Sequence, residues 1–231
     1  MHKSALTSTG WQAKPADQSA PKIRTSANAG PWLLAAGLLI AYALPWLVTN
    51  SAALTFGGYD LAEWSSLPPA ARTTEPALLA ALLLRLVLTC ITLYFALATS
   101  YRRGQAGWWV SLMAVGLLSV AQLPPLEYFS IARNDSNYGQ QFALAVFSLA
   151  LGLVILLSPQ GSWRNYVAAV VALVGALAGY TGAMHGLELM RGYRIEANMG
   201  GGVWLSVALF AIAALLSLLR TRRDNKKSSV L

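Results

Sequence analysis

Arg85 is the residue in this 231-residue chain whose chemistry most needs explaining. It stands near the middle of an apolar run, where a charge costs about 2.5–3.5 kcal/mol even on the mildest insertion scale. Thr89 and Thr92 follow at i+4 and i+7, so the three form a polar stripe on one helix face. Such a stripe belongs against a bundle interior, where an arginine can hold an anion, a headgroup or a carboxylate, or form half of a structural ion pair. Gln122 and Glu127 close the next apolar run around Pro124-Pro125. Prolines there release backbone carbonyls that can line a polar cavity, and Glu127 is the acid placed to approach Arg85. Arg85, Thr89, Thr92, Gln122 and Glu127 therefore make one candidate cluster, for a ligand or for a structural polar contact.

A second set lies between and beyond these runs. Asp60 and Glu63 have capping-box spacing. With Leu61 and Trp64 on one side, they predict a short interfacial helix ended by Pro68-Pro69, either a lid or docking surface over a cavity or a loop pinned to the membrane. His185 has Thr181 at i−4 and Glu188 at i+3, a pairing able to bind metal or shuttle protons. The only other histidine is His2, so a bis-histidine haem is excluded, a zinc site would need several carboxylates, and a plainly hydrogen-bonded His185 is expected. Asp60, Glu63, Trp64, His185 and Glu188 make a candidate outer-face surface. No metal, cofactor or catalytic residue is assigned. The chain lacks a P-loop, HExxH, a GxSxG elbow and a dinucleotide glycine fingerprint, and the single Cys90 excludes an intrachain disulfide and Cys-rich zinc sites.

The elements that must carry these residues follow from composition. With 56% hydrophobic and 11% charged residues, the chain has less than half the usual polar coat of a soluble domain, which a bilayer accommodates and water does not. An all-α fold is expected: a polytopic bundle of six transmembrane helices near 31–49, 76–99, 107–127, 141–158, 166–186 and 203–220. The polar residues 1–30 read as a disordered cytoplasmic tail and 221–231 as a basic one. With the N-terminus inside, twelve basic residues fall in inner segments and four (Arg72, Arg133, Arg191, Arg194) in outer loops, which gives an N-in/C-in topology. The net charge of +8 is thus spent on orientation, and nucleic acid is excluded as a partner.

Inner connections are short and outer ones long, so the helices form three hairpins closed on the outer side. Trp32 and Trp46 around the first helix, Trp108 and Trp109, Trp163 and Trp204 are expected at headgroup depth. Gly175, Gly179 and Ala183 repeat at spacings of four, so the fifth span is expected to be central and closely packed, and this face is a candidate surface for a membrane-protein partner or oligomer. Asn134-Asp135-Ser136 matches the glycosylation pattern in an outer loop. In helix count and short inner loops the chain resembles the substrate-binding membrane components of vitamin importers, by architecture alone.

The expected localisation is a bacterial inner membrane or another plasma-type membrane, with the lipid bilayer as partner. Function is expected to be that of a non-enzymatic accessory subunit of a membrane assembly. The alternatives are a transporter or small-ligand-binding component with an outward-facing site around Arg85, and a membrane enzyme on lipid-linked substrates that uses Asp60, Glu63, Glu127 and His185.

Overall fold

The structure is a computed structural model that describes residues 29–50, 54–99, 101 and 103–228; of the expected tail at 1–30, residues 1–28 lie outside them, as do the last three residues of the chain. Among the described residues seven α-helices dominate: α1 (Ala29–Ala43), α2 (Gly58–Ser66), α3 (Leu79–Ala98), α4 (Ala106–Val120), α5 (Ser136–Leu157), α6 (Trp163–Gly192) and α7 (Gly201–Ser228). Among the described residues α3, α5, α6 and α7 are long and apolar enough to cross a membrane, while α1 and α4 are shorter apolar helices. The protein is a membrane-embedded helical bundle. α7 continues as helix through the basic segment after 220 to Ser228.

The enclosed helix is α3, buried almost continuously from Val87 to Ala98 and packed against α1, α4, α5 and α6. The expected central helix, α6, instead presents two faces. Val170, Leu173 and Leu177 are exposed on one, while Gly175, Gly179 and Ala183 turn inward. A Cβ on Gly175 would stand 2.5 Å from the Phe210 ring, and Gly179 lies against Trp46 and Val87. The chain itself fills the small-residue stripe, with α7, α3 and the end of α1 as the neighbours.

One end of the bundle carries a cap. Antiparallel strands β1 (Leu47–Thr49), β2 (Thr55–Phe56) and β3 (Ala197–Met199) form a small sheet in the order β2-β1-β3. It ties the α1–α2 connection to the α6–α7 connection through pairs such as Val48 with Asn198. Trp46, expected at the interface, is fully buried beneath this sheet and its indole Nε1 donates to Ala41 O at 2.9 Å. Trp108 is also buried, whereas Trp109 and Trp204 are exposed as belt residues would be. The short helix expected around Asp60 is α2. Its N-cap is Gly57, without a side-chain cap, and Asp60 lies inside the first turn. Gly58 rests on the Tyr42 ring, where a Cβ would come within 2.5 Å; only glycine lets the start of α2 sit so low on the bundle.

α1 runs beside most of α7: Gly30 lies near Arg220, and Pro45 O accepts from Gly202 N–H at 2.8 Å. α4 is different. Trp108 bonds Leu156 O, Val115 meets Gly152, and Gln122 bonds Ser148. α4 therefore slants across the lower part of α5 and stops beside Ser148. Twelve residues separate Ser148 from the cap-end start of α5, so about 18 Å of height remain at 1.5 Å per residue. The chain covers that height without an α-helix, through Pro124-Pro125 and a 3-10 turn at Leu126–Phe129. Local bonds satisfy the freed backbone: Tyr128 N–H donates to Pro125 O, and Ser130, Ile131 and Ala132 all donate to Glu127 O. The two prolines have no N–H to satisfy.

Candidate functional site

Arg85 sits six residues into α3, roughly 9 Å below its cap-end start, and is 4% exposed. Its Nη2 donates to Glu63 Oε1 at 2.9 Å, and Gln141 Nε2 on α5 donates to the same oxygen at 2.9 Å. Glu63 reaches this point from α2, with its side chain 38% exposed. The guanidinium is buried; its counter-ion stands at the mouth. Arg85 Nε and Nη1 are also buried and have no hydrogen-bond partner. A buried guanidinium normally uses its donors fully, because each unpaired polar group forfeits its hydration.

Arg85 lines a small cavity together with Tyr42, Tyr59, Glu63, Leu88, Gln122, Gln141 and Leu144. Its free space gives a water-sized molecule about 10 Å³ of positions for its centre, room for about one water. Tyr42 OH donates to Leu84 O at 3.2 Å and fixes one wall. Tyr59, on α2, has its phenol pushed above the usual tyrosine range, first by burial and then by the Glu63 carboxylate.

Directly beneath lies a closed ring of polar side chains. Thr89 Oγ1 donates to Gln122 Oε1 at 2.9 Å, Gln122 Nε2 to Ser148 Oγ at 3.3 Å, and Ser148 Oγ to Thr89 Oγ1 at 3.1 Å. Gln122 Nε2 also donates to Leu118 O at 3.1 Å. Thr89 is halfway along α3, so the ring joins α3, the broken end of α4 and α5 at mid-height.

The structure thus brings together Arg85, Thr89 and Gln122 of the first candidate set and Glu63 of the second. Thr92 stays out, bonding Leu88 O of its own helix at 2.8 Å. Glu127 is exposed on the 3-10 turn, and Glu63 takes the place beside Arg85. Trp64 packs against Phe56 under the sheet, with ring centroids 6.1 Å apart. His185 Nδ1 and Glu188 Oε2 lie 3.2 Å apart at the edge of a separate hollow of about 580 Å³, walled largely by Ala70, Ala71, Leu79, Ala80 and Leu189. No bond among the described residues links Asp60, Glu127 and His185.

Gln141, Ser148, Tyr42 and Tyr59 were missed. Gln141 and Ser148 stand at i and i+7 on one face of α5, a periodicity visible in the sequence once Arg85 is given a partner helix. At the opposite end Arg164 is buried, and it donates to Ile155 O at 3.2 Å and to Ala96 O. Arg103 donates to Leu157 O. Two arginines thus cap the C-terminal carbonyls of α3 and α5, where cations are favoured. No protein-family model, curated protein or solved structure matches the chain.

Proposed function

We propose that this protein is a small-ligand-binding membrane component, of the kind that serves transport, with its site at Arg85 open to the outer side. The observation that carries the reading is the buried Arg85 guanidinium. Two of its nitrogens lack a partner, and it lines a small cavity, together with Gln141 and with Gln122 just past the end of α4. A buried charge is costly unless well paired, and among the described residues Arg85 is the less fully paired of the two buried arginines: Arg164, which caps helix ends, leaves Nε alone without a partner, whereas Arg85 leaves both Nε and Nη1.

In this reading the chain crosses the membrane six times, N-in/C-in, with the cap outside. α1 counts as a span because it accompanies α7 from Arg220 to Gly202, and α4 with its irregular continuation counts as another. Arg103, Arg164, Arg220, Arg222 and Arg223 gather at the end away from the cap, which the positive-inside bias places in the cytoplasm. A bacterial inner membrane or another plasma-type membrane suits this arrangement. An accessory-subunit role has less to rest on. The exposed faces of α4 to α7 are apolar residues such as Val110, Leu117, Phe147, Val170 and Leu215, as lipid contact requires, and the small-residue stripe is occupied within the chain.

The test is a thermal-unfolding screen of the purified protein in mild detergent against anions, amino acids, sugars and nucleosides. A ligand at 100 times its Kd stabilises the folded state by about 2.7 kcal/mol. The expected result is a compound class that raises Tm in the wild type and has no effect on Arg85→Gln. If no class does so and a second membrane protein copurifies in fixed ratio, the accessory role replaces this reading.

A further inference from the structure

The geometry points to a small monocarboxylate as the ligand of the Arg85 site, bound in the place now taken by the Glu63 side chain. This rests on the reading of Arg85 as a ligand site and adds the chemical class. Glu63 Oε1 receives both Arg85 Nη2 and Gln141 Nε2, each at 2.9 Å. The two donors belong to α3 and α5 of the bundle, while the oxygen they share is brought by α2, a nine-residue helix of the cap. The arrangement is a carboxylate site occupied by the protein's own carboxylate.

Three features make that occupant replaceable. Glu63 is over a third exposed at its side chain, so its carboxylate can return to water by rotation, while Arg85 stays buried. The contact uses one guanidinium nitrogen out of three and leaves Nε and Nη1 unpartnered. A free carboxylate is not tethered to α2, so it can approach in the two-pronged alignment that guanidinium prefers and take up one of those nitrogens. The displaced Glu63 carboxylate stays tethered to α2 near Asp60, so a bound monoanion adds one negative charge there and a phosphate dianion would add two, which disfavours phosphate.

Size follows from the cavity. With room for about one water beyond the Glu63 position, the ligand is limited to a carboxylate with a body of a few atoms. That body would lie toward Leu88, Leu144 and the Tyr59 ring. Bulkier acids would require α2 to lift from Tyr42 and Gly186.

The experiment uses the full chain purified in detergent, with acetate, propionate, acetamide and inorganic phosphate as probes, read by titration calorimetry and by thermal unfolding. Proteins compared are the wild type, Glu63→Gln, Glu63→Ala and Arg85→Lys. Because the internal carboxylate competes, its removal should tighten acetate binding by the inverse of the unoccupied fraction, on the order of 10–100-fold. Arg85→Lys should weaken it. If loss of Glu63 lowers the unfolding temperature, acetate should restore it in Glu63→Ala and acetamide should not.

Equal acetate affinity in the wild type and Glu63→Gln, or acetamide acting as well as acetate, would overturn the carboxylate assignment. Phosphate or acetamide binding that needs Arg85 while acetate fails would leave the ligand site standing and remove only its chemical class. Folded Glu63→Gln and Glu63→Ala proteins that respond to none of the four probes would overturn the carboxylate assignment, and the broad solute screen would then decide the site itself.

Discussion

The ring of Thr89, Gln122 and Ser148 is the joint that holds the broken end of α4 at mid-height, and its strength can be worked from its bonds. Thr89→Val removes two of the three ring bonds, to Gln122 and Ser148. Gln122→Leu also removes two ring bonds, to Thr89 and Ser148, along with its bond to Leu118 O, and the Thr89–Gln122 bond is common to both. Interhelical side-chain bonds in membranes are worth about 0.6 kcal/mol each on average and up to about 1.7. Each single variant should therefore lose roughly 1–2 kcal/mol. The double variant should fall short of the sum of the two by one shared bond, about 0.6 kcal/mol and at most about 1.7. The assay is reversible unfolding in mixed micelles, followed by SDS titration on the four proteins of the cycle. Contacting residues are expected to be non-additive. Additivity within about 0.2 kcal/mol, well below one such bond, would refute the network and with it the fixed end of α4.

Other consequences concern the two ends of the bundle. Asp135 N-caps α5, accepting from Asn137 N–H at 2.7 Å, with Arg72 3.3 Å away. Asp135→Ala should cost about 0.5–2 kcal/mol at neutral pH. Partial burial raises the Asp135 pKa, but the Asn137 N–H and Arg72 outweigh it and hold the carboxyl below its usual range. The stabilisation is therefore full above the unfolded value near 4 and fades as pH falls through the lower folded one. Unfolding curves of wild type and variant should separate at pH 7 and converge well below pH 4. At the other end, Arg164→Gln removes a buried cation from Ile155 O and Ala96 O. It should cost about 1.5–3 kcal/mol, the range for a charged hydrogen bond, and exceed the effect of Arg103→Gln. Terminal reporter fusions should show unchanged orientation, because most of the basic residues on that side remain.

The membrane-embedded helical bundle was legible because hydropathy and length act locally, one helix at a time. The short helix at α2 was legible for the same reason, from Leu61, Trp64 and the closing prolines. Packing between distant segments was not. Trp46 looked like a belt residue because an indole at a helix end usually is one, and the glycines that bury it, Gly179 and Gly202, come from segments distant in sequence. α6 was expected at the centre on the strength of its glycines, but small residues mark one close-packed face and leave the other face open to lipid. Pro124 and Pro125 announced that α4 would end; they did not reveal how steeply it slants or how much height is left. Arg85 was found by its cost. Its partner was misplaced on Glu127, the nearer acid by helix order, because nothing local shows that α2 folds back to bring Glu63 over the bundle. Gln141 and Ser148 were passed over as single polar residues, since two uncharged side chains seven apart acquire meaning only beside Arg85 and Thr89.

The central claim, an Arg85 cavity open to the outer side, is tested most directly by cysteine accessibility. Cys90 is buried and would be replaced by Ala, and Leu144 in the cavity wall would become the single cysteine as Leu144→Cys. Intact cells or spheroplasts are then treated with a membrane-impermeant thiol reagent. Slow labelling from outside is predicted, accelerated by Glu63→Ala. Labelling from the cytoplasmic side alone in inverted vesicles would contradict the account, as would no labelling with Glu63 present or removed.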